Sequence, residues 1–113
     1  MINRTDVTPE QSPIDPIKFR LKTLLECGDE KILVSTAGEF MVNGEMWTIG
    51  SGRFYETMAF DRRRGEETQF DSEWGIWAET VEELPENPRE VAKAMHEAVV
   101  VELSLKMQGL PKE

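Results

Sequence analysis

The first half of the chain alternates apolar and polar residues, a pattern that is typical of β-strands with one buried face. Between residues 17 and 27 the odd-numbered positions are mainly apolar, whereas Lys18, Arg20 and Lys22 occupy even-numbered positions. This period of two predicts a half-buried strand with a basic outer face.

A helix over the same residues is the alternative interpretation. Asp15 is suited to a helix cap, Pro16 to the first helical position and Gly28 to the residue beyond the end. Such a helix would place Phe19 opposite its own apolar stripe. We therefore favour the strand.

Short β-branched and aromatic runs predict the remaining strands. Asn43-Gly44 is the strongest hairpin signal, because both residues tolerate the positive φ angles of a tight two-residue turn. The predicted segments are residues 31–36, the hairpin arms 39–42 and 45–48, residues 53–60 and residues 74–80.

The end of the chain predicts one long helix, from Pro88 to about Gln108. Asn87 is a suitable N-cap, Glu90 completes a capping-box pattern and Gly109 ends the helix. The apolar face is expected to contain Val91, Ala92, Met95, Ala98, Val99 and Leu103. Three further apolar residues widen this face, namely Val100, Val101 and Met107. A face of this width is also compatible with packing on a second partner, such as another subunit.

These elements predict an α+β fold, with an antiparallel meander sheet of four to five strands and one long C-terminal helix packed on it. Residues 17–110 are expected to form a single domain, in line with a length of 113 residues. Residues 1–16 contain three prolines and few apolar residues, and predict a flexible N-terminal arm.

Charge is concentrated in one part of the sequence. Residues 66–90 contain nine of the 22 acidic residues but only one of the 13 basic residues, so this window carries −8 of the net charge of −9. A solvated surface that aids solubility is one interpretation. The alternative is a contact surface for a basic partner, and direct binding of nucleic acid is disfavoured.

The familiar catalytic and cofactor motifs are absent from the sequence, including the P-loop, G-x-G-x-x-G and G-x-S-x-G. One cysteine and one histidine exclude a disulfide framework and a His- or thiolate-rich metal site. We predict no catalytic residue, metal or cofactor. No apolar run resembles a signal peptide or a membrane span, which favours a cytoplasmic location.

Two titratable residues are candidates for a ligand site. Glu56 shares a predicted strand face with apolar residues, where an unpaired carboxylate is costly, and His96 lies beside the apolar face of the helix. If the helix covers this face, Glu56 and His96 meet, with Tyr55 nearby. They would then form either a site for proton transfer or ligand capture, or a buried structural pair. Exposure of Glu56 on a solvent face is the third interpretation.

Tryptophan residues suggest an interface, since tryptophan is enriched in binding hot spots. Trp74 and Trp77 are expected on opposite faces of one strand, with Trp74 in the core. Trp77 is the candidate contact residue, together with the acidic residues that follow it, namely Glu79, Glu82, Glu83 and Glu86.

The chain resembles a family of small uncharacterised proteins encoded by tailed phages and some actinobacteria. The similarity rests on Val34-Ser35-Thr36, on Glu56-Thr57-Met58-Ala59-Phe60, and on Glu82-Glu83 followed by His96. It covers roughly residues 31–100. The chain departs from the family pattern in the segment after Thr36 and in the added residues 84–88.

The resemblance implies a phage-encoded accessory protein of the host cytoplasm rather than an enzyme. With the acidic window, it predicts binding to a host protein involved in defence or nucleic-acid handling. A small-ligand or nucleotide-binding protein that uses Glu56, His96 and Tyr55, and a homo-oligomeric structural module, are the alternatives.

Overall fold

The computed structural model describes residues 2–50, 52–70 and 74–109. It is an α+β fold in which one antiparallel sheet carries a long C-terminal helix on one face, as the sequence predicts. The strands are β1 (Ile2–Asp6), β2 (Ile17–Cys27), β3 (Glu30–Val42), β4 (Glu45–Trp47), β5 (Arg53–Asp61), β6 (Glu66–Glu67) and β7 (Gly75–Trp77). A 3-10 turn at Val81–Glu83 precedes the helix α1 (Pro88–Met107).

The long strands β2, β3 and β5 form the centre of the sheet. The path runs β1-β2-β3-β5-β6, while β4 pairs with the far end of β3 and β7 pairs with β5. Residues 17–27 form a strand, so the alternative helix is excluded. The Asn43-Gly44 hairpin is also confirmed, and its residues have φ angles of 50° and 80°.

The N-terminal segment differs from the expectation of a flexible arm. Ile2–Asp6 forms the edge strand β1, in register with residues 23–27 of β2. Ile2 packs against the core, and Arg4 forms an ion pair with Glu97 of α1. The sequence did not predict this strand because the segment is mostly polar. An edge strand that buries a single apolar residue leaves almost no hydrophobic pattern in the sequence.

Helix α1 matches the predicted bounds, but its buried face is rotated from the predicted one. Val91 and Ala98 are exposed, whereas His96, Val100 and Glu102 are buried. Asn87 stands at the N-cap, and its side chain makes no capping hydrogen bond. The start of the helix is fixed instead by the ion pair of Arg89 with Glu39 of β3.

The core consists of two apolar clusters along the helix. One joins β-strand residues Leu25, Ile32, Val34 and Ala59 to Val99, Val100 and Leu103. The other joins Phe19, Phe54, Tyr55 and Ile76 to Ala92 and Met95. Polar residues at the middle of the strands separate the two clusters.

Gly38 is required by close packing in the second cluster. A Cβ atom at this position would overlap the ring of Tyr55. The next residue, Glu39, has a φ of 58°, which L-residues rarely adopt, and its side chain is buried. The chain therefore makes a local irregularity here that turns a carboxylate toward α1.

No helix within the described residues is long and apolar enough to cross a membrane.

Candidate functional site

The acidic segment comprises Glu79, Glu82, Glu83, Glu86 and Glu90, and it connects β7 to the first turn of α1. All five side chains are exposed. The backbone N–H of Glu79 donates a hydrogen bond to the carboxylate of Glu83 at 3.1 Å, which holds the 3-10 turn against the end of β7. The acidic segment therefore carries its negative charge on a connection whose conformation is held by a hydrogen bond.

The structure divides the acidic window of the sequence. β6, with Glu66 and Glu67, pairs with Phe60 and Asp61, whereas β7 pairs with the other end of β5. These two glutamates therefore lie away from the acidic segment, near the basic loop 62–64. Asp71 and Glu73 lie outside the described residues. The candidate contact residues all lie on β7 or on the connection from β7 to α1, namely Trp77, Glu79, Glu82, Glu83 and Glu86.

Trp77 is exposed and held in place. The residue is 48% exposed, and its ring meets that of Trp74 edge to face, with centroids 6.2 Å apart. The guanidinium carbon of Arg53 lies 4.0 Å from the centroid of Trp74 and 5.9 Å from that of Trp77. The two rings thus share one cation, an attractive arrangement that restricts their rotamers.

This arrangement corrects two expectations about the tryptophans. Trp74 is 39% exposed rather than a core residue, and the two rings touch instead of lying on opposite faces. The pairing of β7 with β5 is irregular between Arg53 and Tyr55, so strict alternation does not predict side-chain direction there.

Arg53 explains the position of Glu56. The Nη2 atom of Arg53 lies 3.1 Å from a carboxylate oxygen of Glu56, and the two side chains are only 12% and 19% exposed. The Nε and Nη1 atoms of Arg53 are buried and have no hydrogen-bond partner among the residues that the structure describes. The two aromatic rings stabilise the guanidinium group, and the carboxylate of Glu56 compensates its charge.

His96 does not meet Glu56, because α1 packs on the opposite face of β5, where Tyr55, Thr57 and Ala59 are buried. His96 is 3% exposed. Its Nε2 lies 2.8 Å from the hydroxyl of Thr23, and its Nδ1 lies 2.7 Å from that of Thr36.

The threonine network continues across the sheet, since the hydroxyls of Thr36 and Thr57 are 2.6 Å apart. Burial lowers the pKa of His96 and is the largest influence on it, and Arg4 acts in the same direction. Glu97 and Asp6 oppose this shift. Both ring nitrogens are engaged with hydroxyls, so the geometry favours a structural role between the two apolar clusters.

Tyr55 belongs to a third arrangement, which the sequence did not reveal. Its hydroxyl donates to a carboxylate oxygen of Glu39 at 2.8 Å, and Arg89 donates two hydrogen bonds of 2.5 Å to the same carboxylate. Burial and the hydrogen bond to Glu39 raise the pKa of Tyr55. Burial raises the pKa of Glu39, but the bonds from Arg89 and Tyr55 outweigh it and lower that pKa overall.

The Glu39–Arg89 pair fixes the start of α1 to the sheet. Arg89 is the second helical residue, and Glu39 lies at the irregular position of β3. The pair therefore holds one end of the acidic segment, as the pairing of β7 holds the other. Its signal in the sequence was Gly38-Glu39 inside a strand run, where glycine often marks a bulge.

A groove lies between α1 and β7, beside Trp77. It has a volume of about 500 Å³ and an apolar lining, formed by Gly75, Ile76 and Trp77 on β7 and by Val91, Ala94, Met95 and Ala98 on α1. The exposed apolar residues that the sequence assigned to the helix core, Val91 and Ala98, thus line this groove.

The three candidate ligand residues do not converge. Glu56 pairs with Arg53, His96 with threonines and Tyr55 with Glu39. Within the described ranges, no group of three or more His, Cys, Asp or Glu residues is arranged to hold a metal ion.

Comparisons with protein-family models, with curated proteins and with solved structures give no match for this chain.

Proposed function

We propose that this chain is a phage-encoded, non-enzymatic accessory protein that binds a host protein and modulates or inhibits it. The contact surface is the acidic segment together with Trp77. The observation that carries the proposal is an exposed tryptophan, held by Arg53 and set between an apolar groove and the acidic segment.

Trp77 has the properties of a binding anchor. A large aromatic side chain contributes most when it enters a desolvated pocket of the partner. Its contact with Trp74 and Arg53 restricts it before binding, so less side-chain entropy is lost on association.

The acidic segment supplies selectivity for a basic partner. Among the described residues, no basic side chain forms an ion pair with Glu79, Glu82 or Glu86. Their charge is therefore available to a partner and accelerates encounter with a basic surface. A nucleic-acid-handling or defence protein presents such a surface, and the resemblance to phage proteins favours a host partner.

Affinity capture from the lysate of an actinobacterial host tests the proposal. The tagged chain is compared with a variant in which Glu79, Glu82 and Glu86 are changed to lysine. Glu83 is left in place because it accepts the backbone hydrogen bond of Glu79. We expect one host protein to be retained by the natural chain and lost with the variant.

The control reverses three exposed acidic residues elsewhere, Glu10, Asp29 and Glu30, and so changes the net charge by the same amount. Capture should survive this change. Absence of a captured protein at moderate salt, or equal loss with both variants, would contradict the proposal.

A further inference from the structure

The groove beside β7 borders a free strand edge. β7 pairs with β5 along one side, and no other strand among residues 2–50, 52–70 and 74–109 pairs with its other side. The N–H of Thr57 donates to the carbonyl of Trp74 at 2.7 Å, so the pairing extends one residue before β7. An edge strand of this kind presents unpaired backbone N–H and C=O groups.

Helix α1 forms the opposite wall of the groove. Val91, Ala94 and Ala98 are apolar and exposed along this wall, while Met95 and Ile76 form the buried base. A strand edge beside a helix with an apolar floor can take an extended peptide. The peptide pairs through its backbone and inserts alternate side chains into the groove.

The distribution of charge around the groove indicates which kind of peptide segment binds there. Among the described residues, the lining of the groove contains no charged side chain, whereas the acidic segment leaves the end of β7 and returns at the start of α1. The alternate side chains that point away from the floor would meet Glu79, Glu82 and Glu86 near this end. Apolar residues are therefore favoured on one face of the occupant and basic residues on the other.

We propose that β7 accepts an extended segment of a partner protein with alternating apolar and basic residues, which joins the sheet as a further strand between β7 and α1. The inference rests on the proposed function, because it uses the same acidic segment and Trp77. It adds the way in which the partner binds and the kind of segment that it must offer.

The probe is a synthetic nine-residue peptide of alternating lysine and valine, titrated into the full chain by calorimetry at low salt. Two further peptides are methylated on their backbone nitrogens, one at every valine and the other at every lysine. Charge and side chains are unchanged in both. Successive residues of a strand direct their N–H groups to opposite edges, so only one set faces β7.

We expect the parent peptide to bind and one methylated peptide to bind about ten-fold more weakly or worse, since about two backbone hydrogen bonds are lost. The other methylated peptide should bind like the parent. Equal affinity of all three peptides, or no binding of the parent, would overturn strand addition.

A pair of protein variants provides the second arm. Ala94→Phe fills the groove without changing charge, and Val101→Phe places the same side chain on an exposed part of α1 outside the groove. Ala94→Phe should weaken peptide binding about ten-fold or more, and Val101→Phe should leave it unchanged. Equal affinity of both variants and the natural chain would also overturn the inference.

Two results separate this inference from the proposed function. If affinity depends on Glu79, Glu82 and Glu86 but not on backbone methylation or Ala94, the acidic surface binds without strand addition and only the inference fails. If light scattering shows a dimer that Ala94→Phe dissociates, a second copy of the chain occupies the groove, and a partner segment is excluded.

Discussion

At the residue scale, buried polar groups are paired by neighbours that are distant in the sequence. His96 is held by Thr23 and Thr36, and Glu39 by Tyr55 and Arg89. An unpaired polar group inside the core would be costly, so these contacts specify how the helix sits on the sheet. The sequence showed each residue type but not its partner.

The first prediction concerns pH. Burial places the pKa of His96 in the folded chain below its ordinary value of 6.5. Between these two pKa values the unfolded chain binds more protons, so the free energy of unfolding decreases as the pH falls below about 6.5. Urea denaturation at pH 7.5 and at pH 5.5 measures the decrease.

The matched variant is His96→Gln. It should be less stable than the natural chain by about 1–3 kcal/mol at pH 7.5, because a buried hydroxyl loses its partner. Since His96 is the single histidine, stability of this variant should change little between the two pH values. A natural chain equally stable at both pH values would contradict the burial of a neutral His96.

The second prediction concerns the Glu39–Arg89 pair. Arg89→Met should lower the free energy of unfolding by about 1–2 kcal/mol, because the buried carboxylate of Glu39 then keeps only Tyr55 as a partner among the described residues. The figure is modest because the side chain of Arg89 is half exposed.

Arg63→Met is the control, since Arg63 is an exposed residue of the basic loop. Chemical denaturation should show a change within about 0.5 kcal/mol for this variant. If the two arginine variants are equally stable, the pair does not fix the start of α1.

At the element scale, the short edge strands were the part of the fold most difficult to predict. The long strands and α1 followed from periodicity and turn residues. By contrast, β1 has one partly buried apolar residue, Ile2, and its stability depends on pairing with β2 and on Arg4 binding Glu97. Such pairing leaves no periodic signal in the sequence.

The same limit applied to the candidate site. The acidic segment and Trp77 were accessible from the sequence because charge and aromatic content are local properties. The separation of Glu56 from His96 was not, since it depends on which face of β5 the helix covers. The irregular pairing of β5 with β7 between Arg53 and Tyr55 and the rotation of α1 both bear on that packing, and both are tertiary effects.

The third prediction tests β1. A chain that begins at Thr8 loses the backbone pairing of Ile2–Asp6 and the burial of Ile2, and we expect it to be less stable by about 1–3 kcal/mol. Chemical denaturation compares it with the full chain. An unchanged stability would indicate a mobile arm rather than an edge strand.

At the scale of the whole molecule, charge is separated in space. Lys18, Arg20 and Lys22 alternate with the core-facing residues of β2, and the loop 62–64 adds three arginines near β6. The acidic segment lies at the other end of β5, beside β7. The net charge of −9 is therefore unevenly distributed, because the region beside β7 is acidic and the other regions are basic or neutral.

This separation makes binding through the acidic segment dependent on salt. For the natural chain and its captured partner, the dissociation constant should rise several-fold between low and physiological ionic strength, because exposed charges are screened over about 8–10 Å. The Trp77→Ala variant should weaken binding at both salt concentrations by a similar factor, since it removes a largely apolar contact.

A salt titration of this complex tests binding through the acidic segment most directly, with the dissociation constant measured for the natural chain and for the variant with lysine at positions 79, 82 and 86. We expect a steep salt dependence for the natural chain and a shallow or reversed one, with much weaker binding, for the variant. Equal affinity and equal salt dependence of the two would contradict a contact surface built on the acidic segment.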